Sequence, residues 1–114
     1  MIKLPAEGVL LRIFIGETDR YHGRPLYEQI VLKARELNLA GATVLRGIMG
    51  FGASSRMHTA KWLRLSEDLP VVVEIVDTEA NIQKLLPFLD EVVQEGLITM
   101  EKAYVIRYPH RSED

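Results

Sequence analysis

A chain of 114 residues in which 47% of the side chains are hydrophobic and 26% are charged has the composition of one folded globular domain. Its net charge of −2 gives no overall positive field for nucleic acid, and the absence of cysteine excludes disulfides, thiolate metal sites and a cysteine nucleophile. The apolar runs are too short to cross a bilayer, and the first residues lack the apolar core of a signal peptide. We therefore expect a cytoplasmic protein that does not insert into membranes.

The first part of the chain predicts a strand and a helix joined by a polar loop. Residues 8–16 are bounded by glycines and are rich in β-branched and aromatic side chains, which is typical of a strand. Pro25 suits the first turn of a helix that continues to about Asn38, and Gly41 stands where helices often end. The buried stripe of this helix is expected to be Leu26, Ile30, Ala34 and Leu37.

Three more strands and a second helix are predicted in the rest of the chain. The strands are expected at residues 42–49, 70–77 and 97–108. Asp77 or Thr78 caps the second helix, and Pro87 should kink or split it. The excursion at about residues 50–69 has no clean periodicity, and connections of this length are usually functional or disordered. We expect residues 53–64 to be mobile without a ligand or partner.

The order β-α-β-β-α-β predicts an α+β, ferredoxin-like fold, in which a four-stranded antiparallel sheet carries two helices on one face. Residues 1–114 would form this single domain. The first and third strands are apolar in both alternating registers, although the helices can cover only one face, so we expect another subunit to cover the second face. We place Arg12, Arg46 and Glu74 on that face, with Glu74 between the two arginines. An interface ion network is favoured there over a ligand role.

The densest functional signal is the segment RGIMGFG at residues 46–52. Its three glycines let the backbone approach a ligand closely, but it lacks the ending of a P-loop, and a plain glycine-rich turn is the alternative. A second acid-free segment, residues 102–111, is also basic. This segregation of charge favours an anionic small ligand over a solvated basic loop. Between Glu36 and Glu67 no acidic residue occurs, and the basic residues there are Arg46, Arg56, His58, Lys61 and Arg64.

The polar residues of the excursion do not form a recognisable catalytic or metal-binding pattern. The histidines lack metal-ligand spacing, so no metal site is predicted. Ser54 and Ser55 lie near His58 but without a nucleophile elbow or an orienting acid, so no catalytic residue is predicted. Phe51 and Trp62 could stack on a base or anchor the loop.

Several short segments between residues 8 and 107 carry a family likeness. They are IGE at 15–17, GRPL at 23–26, RGIMGFG at 46–52, His58, LSEDLP at 65–70 and EIVD at 74–77. In these segments the chain resembles the PII-like proteins of unknown function, a prokaryotic family that is distantly similar to the PII nitrogen-regulatory signalling proteins.

The resemblance implies a ferredoxin-like subunit, a homotrimer, and an adenine nucleotide such as ADP or ATP bound in clefts between subunits. It also implies that the excursion acts like the PII T-loop and contacts a regulated protein, for which a membrane transporter is one candidate. Two features depart from the PII pattern. Residues 95–98 lack the lysine that PII proteins place after the second helix, and the tyrosine-modification site is not identifiable. Arg107 does match a basic position on the last PII strand.

Together these observations predict a signalling protein rather than an enzyme. The alternatives are a small enzyme that acts on a nucleotide or other anionic metabolite in the same cleft, and a purely structural oligomer. No cofactor is predicted other than the nucleotide ligand. The predicted ligand-binding residues are Gly16, Glu17, Arg46, Gly47, Met49, Gly50, Phe51, Gly52, Arg56, His58, Lys61 and Arg107.

Overall fold

A computed structural model describes residues 6–52 and 68–107 of the chain. The part of the excursion that was expected to be mobile lies outside these residues. The described elements are β1 (Ala6–Gly16), β2 (Arg20–Tyr21), β3 (Arg24–Pro25), α1 (Leu26–Glu36), β4 (Thr43–Arg46), β5 (Pro70–Asp77), α2 (Glu79–Val92) and β6 (Leu97–Val105).

The main sheet has the strand order β4-β5-β1-β6, and every neighbouring pair is antiparallel. The four long strands and the two helices follow one another as β-α-β-β-α-β, so the ferredoxin-like α+β fold predicted from the sequence is confirmed. Strands β1 and β5 form the centre of the sheet and contribute most of its buried side chains. The order also places β4 and β1 on either side of β5.

The core lies between one face of the sheet and the two helices. Alternate residues of β1 and β5 are buried, as expected for strands with one covered face. The predicted helix stripes are confirmed at Leu26, Ile30 and Ala34 of α1. Burying one Leu, Ile or Val side chain contributes about 1.5–3 kcal/mol, which makes this layer the main source of stability. Its fully buried large side chains are Leu11, Ile13, Ile30, Val73, Ile75, Ile82, Leu85 and Leu89.

The helix ends agree only in part with the sequence-based expectation. Helix α1 begins after Pro25 and ends because Asn38 adopts the left-handed conformation, with φ 68°, three residues before Gly41. Thr78 is the N-cap of α2 and accepts a hydrogen bond from the Asn81 N–H at 3.2 Å. Among the described residues, no helix is long and apolar enough to cross a membrane.

Helix α2 runs without a break through Pro87, so of the two expected effects, a kink or a split, the split is wrong. Proline removes one N–H that would bond to the carbonyl four residues earlier. Buried residues on both sides of the proline hold the helix against the sheet, which offsets this loss. They are Ile82, Leu85, Leu89 and Val92.

A small hairpin lies between β1 and α1, where the sequence predicts a polar loop. Its two-residue turn is formed by His22 and Gly23, both with positive φ, as a type I′ turn requires. Tyr21 holds the hairpin to α2, because its ring meets Phe88 edge-on and its hydroxyl donates a hydrogen bond to Glu91 at 3.2 Å. Its partial burial, together with this bond, raises the pKa of Tyr21 above its ordinary value.

The second face of the sheet carries apolar side chains that the described residues leave partly or largely exposed. Residues opposite each other in the ladder share a face, so these side chains alternate with the buried ones. A central ion cluster lies among them, in which Arg12 Nε is 2.9 Å from Glu74 Oε2 and Arg12 Nη1 is 3.3 Å from Glu101 Oε2. The hydrogen bond to Glu74 raises the pKa of Arg12. The partly or largely exposed apolar residues of this face are Leu10, Phe14, Leu45, Val72, Val76 and Leu97.

The expectation that Glu74 lies between Arg12 and Arg46 is wrong. In the β4–β5 register Glu74 is opposite Thr43, and Arg46 is opposite the buried residue Val71. Arg46 therefore belongs to the helix-covered face, at the end of the sheet, and it pairs with a different carboxylate. The reason is that register, not alternation alone, decides the facing of a four-residue edge strand.

Candidate functional site

Three strand ends meet at one end of the sheet. Strand β1 ends at Gly16, opposite Pro70 at the start of β5, and β4 ends at Arg46 on the other side of β5. Two backbone hydrogen bonds extend the pairing, from the Gly47 N–H to the Pro70 oxygen at 2.7 Å and from the Glu17 N–H to the Leu69 oxygen at 2.8 Å. The sheet thus brings both described ends of the long connection between β4 and β5 against the end of β1.

An ion pair joins the flanking strands at this point. Arg46 Nη2 lies 2.6 Å from Glu17 Oε2, within charge-assisted hydrogen-bond distance. The Arg46 side chain is 63% exposed and that of Glu17 is 23% exposed, so the guanidinium remains accessible to a ligand. The structure therefore places together four of the predicted ligand-binding residues, Gly16, Glu17, Arg46 and Gly47.

Gly47 and Gly50 are needed for close packing against Pro70. A Cβ atom on Gly47 would lie 2.9 Å from Pro70 Cγ, and one on Gly50 would lie 3.2 Å from the same atom. Gly50 also has φ +156°, a conformation that side-chain-bearing residues rarely adopt. At Gly52 no heavy atom of residues 6–52 and 68–107 lies within 4 Å of the added carbon. The close packing of the turn against Pro70 is therefore enough to explain glycine at positions 47 and 50.

Two carboxylates at the site were missed by the sequence analysis. Asp19 Oδ2 accepts a hydrogen bond from the Gly16 N–H at 2.9 Å, and Asp68 Oδ1 accepts one from the Thr18 N–H at 3.3 Å. A Cβ on Gly16 would lie 2.8 Å from Asp68 Oδ1. A signal for them exists in the sequence, because Asp19 lies three residues after the end of β1 and Asp68 two residues before the start of β5.

These carboxylates change the electrostatics of the described part of the site. Arg46 is accompanied by Glu17, Asp19 and Asp68, so the described part of the site carries acidic as well as basic side chains. Within residues 6–52 and 68–107, no three acidic or histidine side chains are arranged to hold a metal ion.

Apolar side chains project from the glycine turn. Ile48 is 89% exposed, and Met49 and Phe51 are each 72% exposed. Side chains of this size on an isolated subunit are available to contact a ligand or another chain. An aromatic ring such as that of Phe51 can stack on a base. The roles of Met49 and Phe51 in ligand binding stay predictions.

Among the described residues, Arg107 lies away from the site of its own subunit. Val105 pairs with Ala6 at the far end of β1, whereas Leu97 pairs with Phe14 near the site. The eight residue-to-residue steps from Leu97 to Val105 span roughly 27 Å, so Arg107 could reach the site only from another subunit. Arg56, His58 and Lys61 lie outside the described residues.

The sequence matches a known family over most of its length. Residues 8–105 match the DUF190 family, which is described as an uncharacterized ACR. The chain belongs to the DUF190 family. A UPF0166 protein from Aquifex aeolicus is 42% identical over 99 residues, which cover 85% of this chain and 91% of that protein. A UPF0166 protein from Methanocaldococcus jannaschii is 36% identical, with 86% of this chain and 91% of that protein covered.

Solved structures place this DUF190 chain among PII-like folds. A protein described as PII-like from Thermus thermophilus has a TM-score of 0.62 and 16% identity, with 91% of this chain and 94% of that chain covered. CPII from Thiomonas intermedia, determined bound to ADP and bicarbonate, has a TM-score of 0.64 and 14% identity, with 90% and 92% covered. The likeness confirms the PII-like fold that the sequence resemblance implied.

Proposed function

We propose that this DUF190 protein is a PII-like regulatory protein that binds an adenine nucleotide in the clefts between the subunits of a homotrimer. The observation that carries the proposal is the meeting of Arg46 and the glycine turn at the end of the sheet, next to both described ends of the connection between β4 and β5. It gains support from CPII, a neighbour of the same fold that binds ADP and bicarbonate. A guanidinium and the backbone N–H groups of a turn are the groups that bind phosphates.

The trimer is supported by the uncovered face of the sheet. Partly or largely exposed apolar side chains such as Phe14, Val72 and Leu45 surround the charges of Arg12 and Glu74 there. A second subunit would remove these side chains from water, which is the main driving force of association. Such an assembly also offers the one route by which Arg107 of a neighbouring subunit could contribute positive charge to the site.

Regulation would act through the connection between β4 and β5, residues 47–69. We propose that this segment contacts the regulated protein, which is either a soluble protein or a membrane transporter. The backbone bonds at Gly47 and Glu17 fix its two ends beside Arg46 and the glycine turn, where we propose that the nucleotide binds. A ligand at Arg46 would therefore act directly on the base of the segment that the partner contacts.

The proposal is tested by titrating ADP and ATP into the wild-type protein, Gly50→Val and Gly41→Val in a calorimeter. Valine at 50 meets Pro70 and blocks the approach of a ligand to the backbone, whereas valine at the exposed position 41, outside the predicted site, has no heavy atom of the described residues within 4 Å of its Cβ. We expect Gly50→Val to weaken binding by about 1–3 kcal/mol, the scale of a polar group left unpaired. Thermal unfolding of each variant controls for folding.

Two results would contradict the proposal. One is the absence of ADP and ATP binding to the wild-type protein at millimolar concentration, and the other is equal affinity of the two valine variants. Product analysis after incubation with ATP distinguishes regulation from catalysis, because a regulatory protein should leave the nucleotide largely intact.

A further inference from the structure

The guanidinium offered to the ligand is already occupied by a side chain of the same subunit. Arg46 ends β4 and Glu17 follows β1, and β5 lies between these two strands. Strands two positions apart in a sheet are separated by about 10 Å. The 2.6 Å contact between Arg46 Nη2 and Glu17 Oε2 therefore requires both side chains to extend over the start of β5. Because β4 and β1 are not neighbouring strands, strand pairing alone does not bring Arg46 and Glu17 into contact.

We propose that Glu17 is a built-in competitor for the anionic group of the ligand, which must displace the Glu17 carboxylate from Arg46 in order to bind. This inference rests on the proposed function, and it changes the predicted role of Glu17 from a ligand contact to a competitor. The chemistry is an exchange of anions. A carboxylate and a phosphate both bind the N–H groups of a guanidinium, and the two negative groups repel each other at short distance.

The solvent exposure of the ion pair between Arg46 and Glu17 limits how strongly Glu17 can compete with the ligand. Exposed ion pairs favour their closed form by up to about fivefold, because water competes for both charges. A ligand that binds only the open form has its apparent dissociation constant raised by the reciprocal of the open fraction. Removing the carboxylate of Glu17 should therefore tighten anion binding by about two- to sixfold.

Displacement of the Glu17 carboxylate would also remove a contact that holds one end of the connection between β4 and β5. The side chain of Glu17 holds Arg46, the last residue before the connection, while its backbone N–H holds Leu69 at the other end. The Thr18 N–H adds a bond to Asp68. Glu17→Gln removes the negative charge and keeps the backbone bonds, so the variant tests the ion pair without disturbing the strand end.

The test is a double-mutant cycle on ADP affinity with wild type, Glu17→Gln, Arg46→Gln and the double variant. Glu79→Gln is the matched control, because Glu79 is exposed and lies beyond the other end of β5. We expect Glu17→Gln to bind ADP about two- to sixfold more tightly than wild type and Glu79→Gln. The gain should vanish in the Arg46→Gln background. A gain that persists there would be a general effect of charge and would overturn the proposal.

Tripolyphosphate as a second probe separates this proposal from the proposed function. If ADP does not bind but tripolyphosphate binds Glu17→Gln more tightly than wild type, the nucleotide function fails and the competition stands. If ADP binds wild type and Glu17→Gln with equal affinity, the competition is overturned and the function stands. If neither probe binds Glu17→Gln at millimolar concentration, both are overturned.

Discussion

Replacing Gly47 with alanine tests the close packing that brings the strand ends together. The new Cβ would lie 2.9 Å from Pro70 Cγ and 3.5 Å from the Pro70 carbonyl oxygen. Carbon atoms in contact prefer about 3.5–4.0 Å, and a proline ring cannot rotate away. The end of β4 must therefore move from β5 by about 0.5–1 Å.

This movement should affect both stability and binding. It stretches the 2.7 Å hydrogen bond from the Gly47 N–H to the Pro70 oxygen, and overpacking of this kind typically costs about 1–3 kcal/mol. We expect the free energy of unfolding to fall by that amount. Arg46 precedes the displaced residue and moves with it, so ADP affinity should fall by about tenfold, which corresponds to roughly 1.4 kcal/mol.

Urea denaturation and calorimetric titration with ADP measure the two effects. Gly41→Ala is the matched control, since Gly41 lies outside the predicted site and no heavy atom of the described residues is within 4 Å of its added carbon. All proteins should be compared at one concentration, because the stability of an oligomer depends on it. If Gly47→Ala matches Gly41→Ala in both measurements, the strand ends are not held by the contact between Gly47 and Pro70.

Three further predictions concern buried and interface groups. Asp77→Ala should lower the free energy of unfolding by about 2–4 kcal/mol, because the backbone N–H groups of Ala40 and Thr78 and the side-chain amide of Asn81 lose their acceptor. Urea denaturation measures this, with Asp90→Ala, at an exposed position of α2, as the control. Glu74→Lys should weaken assembly by placing a second cation beside Arg12, and an unchanged mass in sedimentation equilibrium would contradict this. The raised pKa of Tyr21 means that its protonated form stabilises the fold, so stability should be lost as pH rises past the ordinary value of about 10 and through the raised one. Unfolding curves of Tyr21→Phe from about pH 9 to 12 should lack this contribution, and a loss equal to that of wild type would refute it.

Periodicity was enough to predict the long elements. Strand β5 has the predicted bounds, and of the predicted α1 stripe Leu26, Ile30 and Ala34 are buried while Leu37 is partly buried. The hairpin at Arg20–Pro25 was missed because its strands are two residues long and polar, so the only local signal is the His22-Gly23 turn. The continuity of α2 through Pro87 depends on packing against the sheet, which local propensity does not contain.

The candidate site was predictable in its residue types but not in its charge balance. The glycine turn with Arg46 was recognised from sequence, and Gly16 and Glu17 do lie beside it. The pairing of Arg46 with Glu17 across β5 could not be read from the sequence, because it requires both the strand order and the register. Only the folded chain brings carboxylates from residues 17–19 and 68 to the same strand ends.

The central claim is that a trimer binds an adenine nucleotide between its subunits, and native mass spectrometry with and without ADP tests it most directly. The account predicts a species of three times the 13.0 kDa subunit mass that takes up one ADP for each subunit, and subunits released by dissociation in solution that bind none. A monomeric species at micromolar concentration, a trimer that takes up no ADP at millimolar concentration, or ADP bound equally well to single subunits would contradict it.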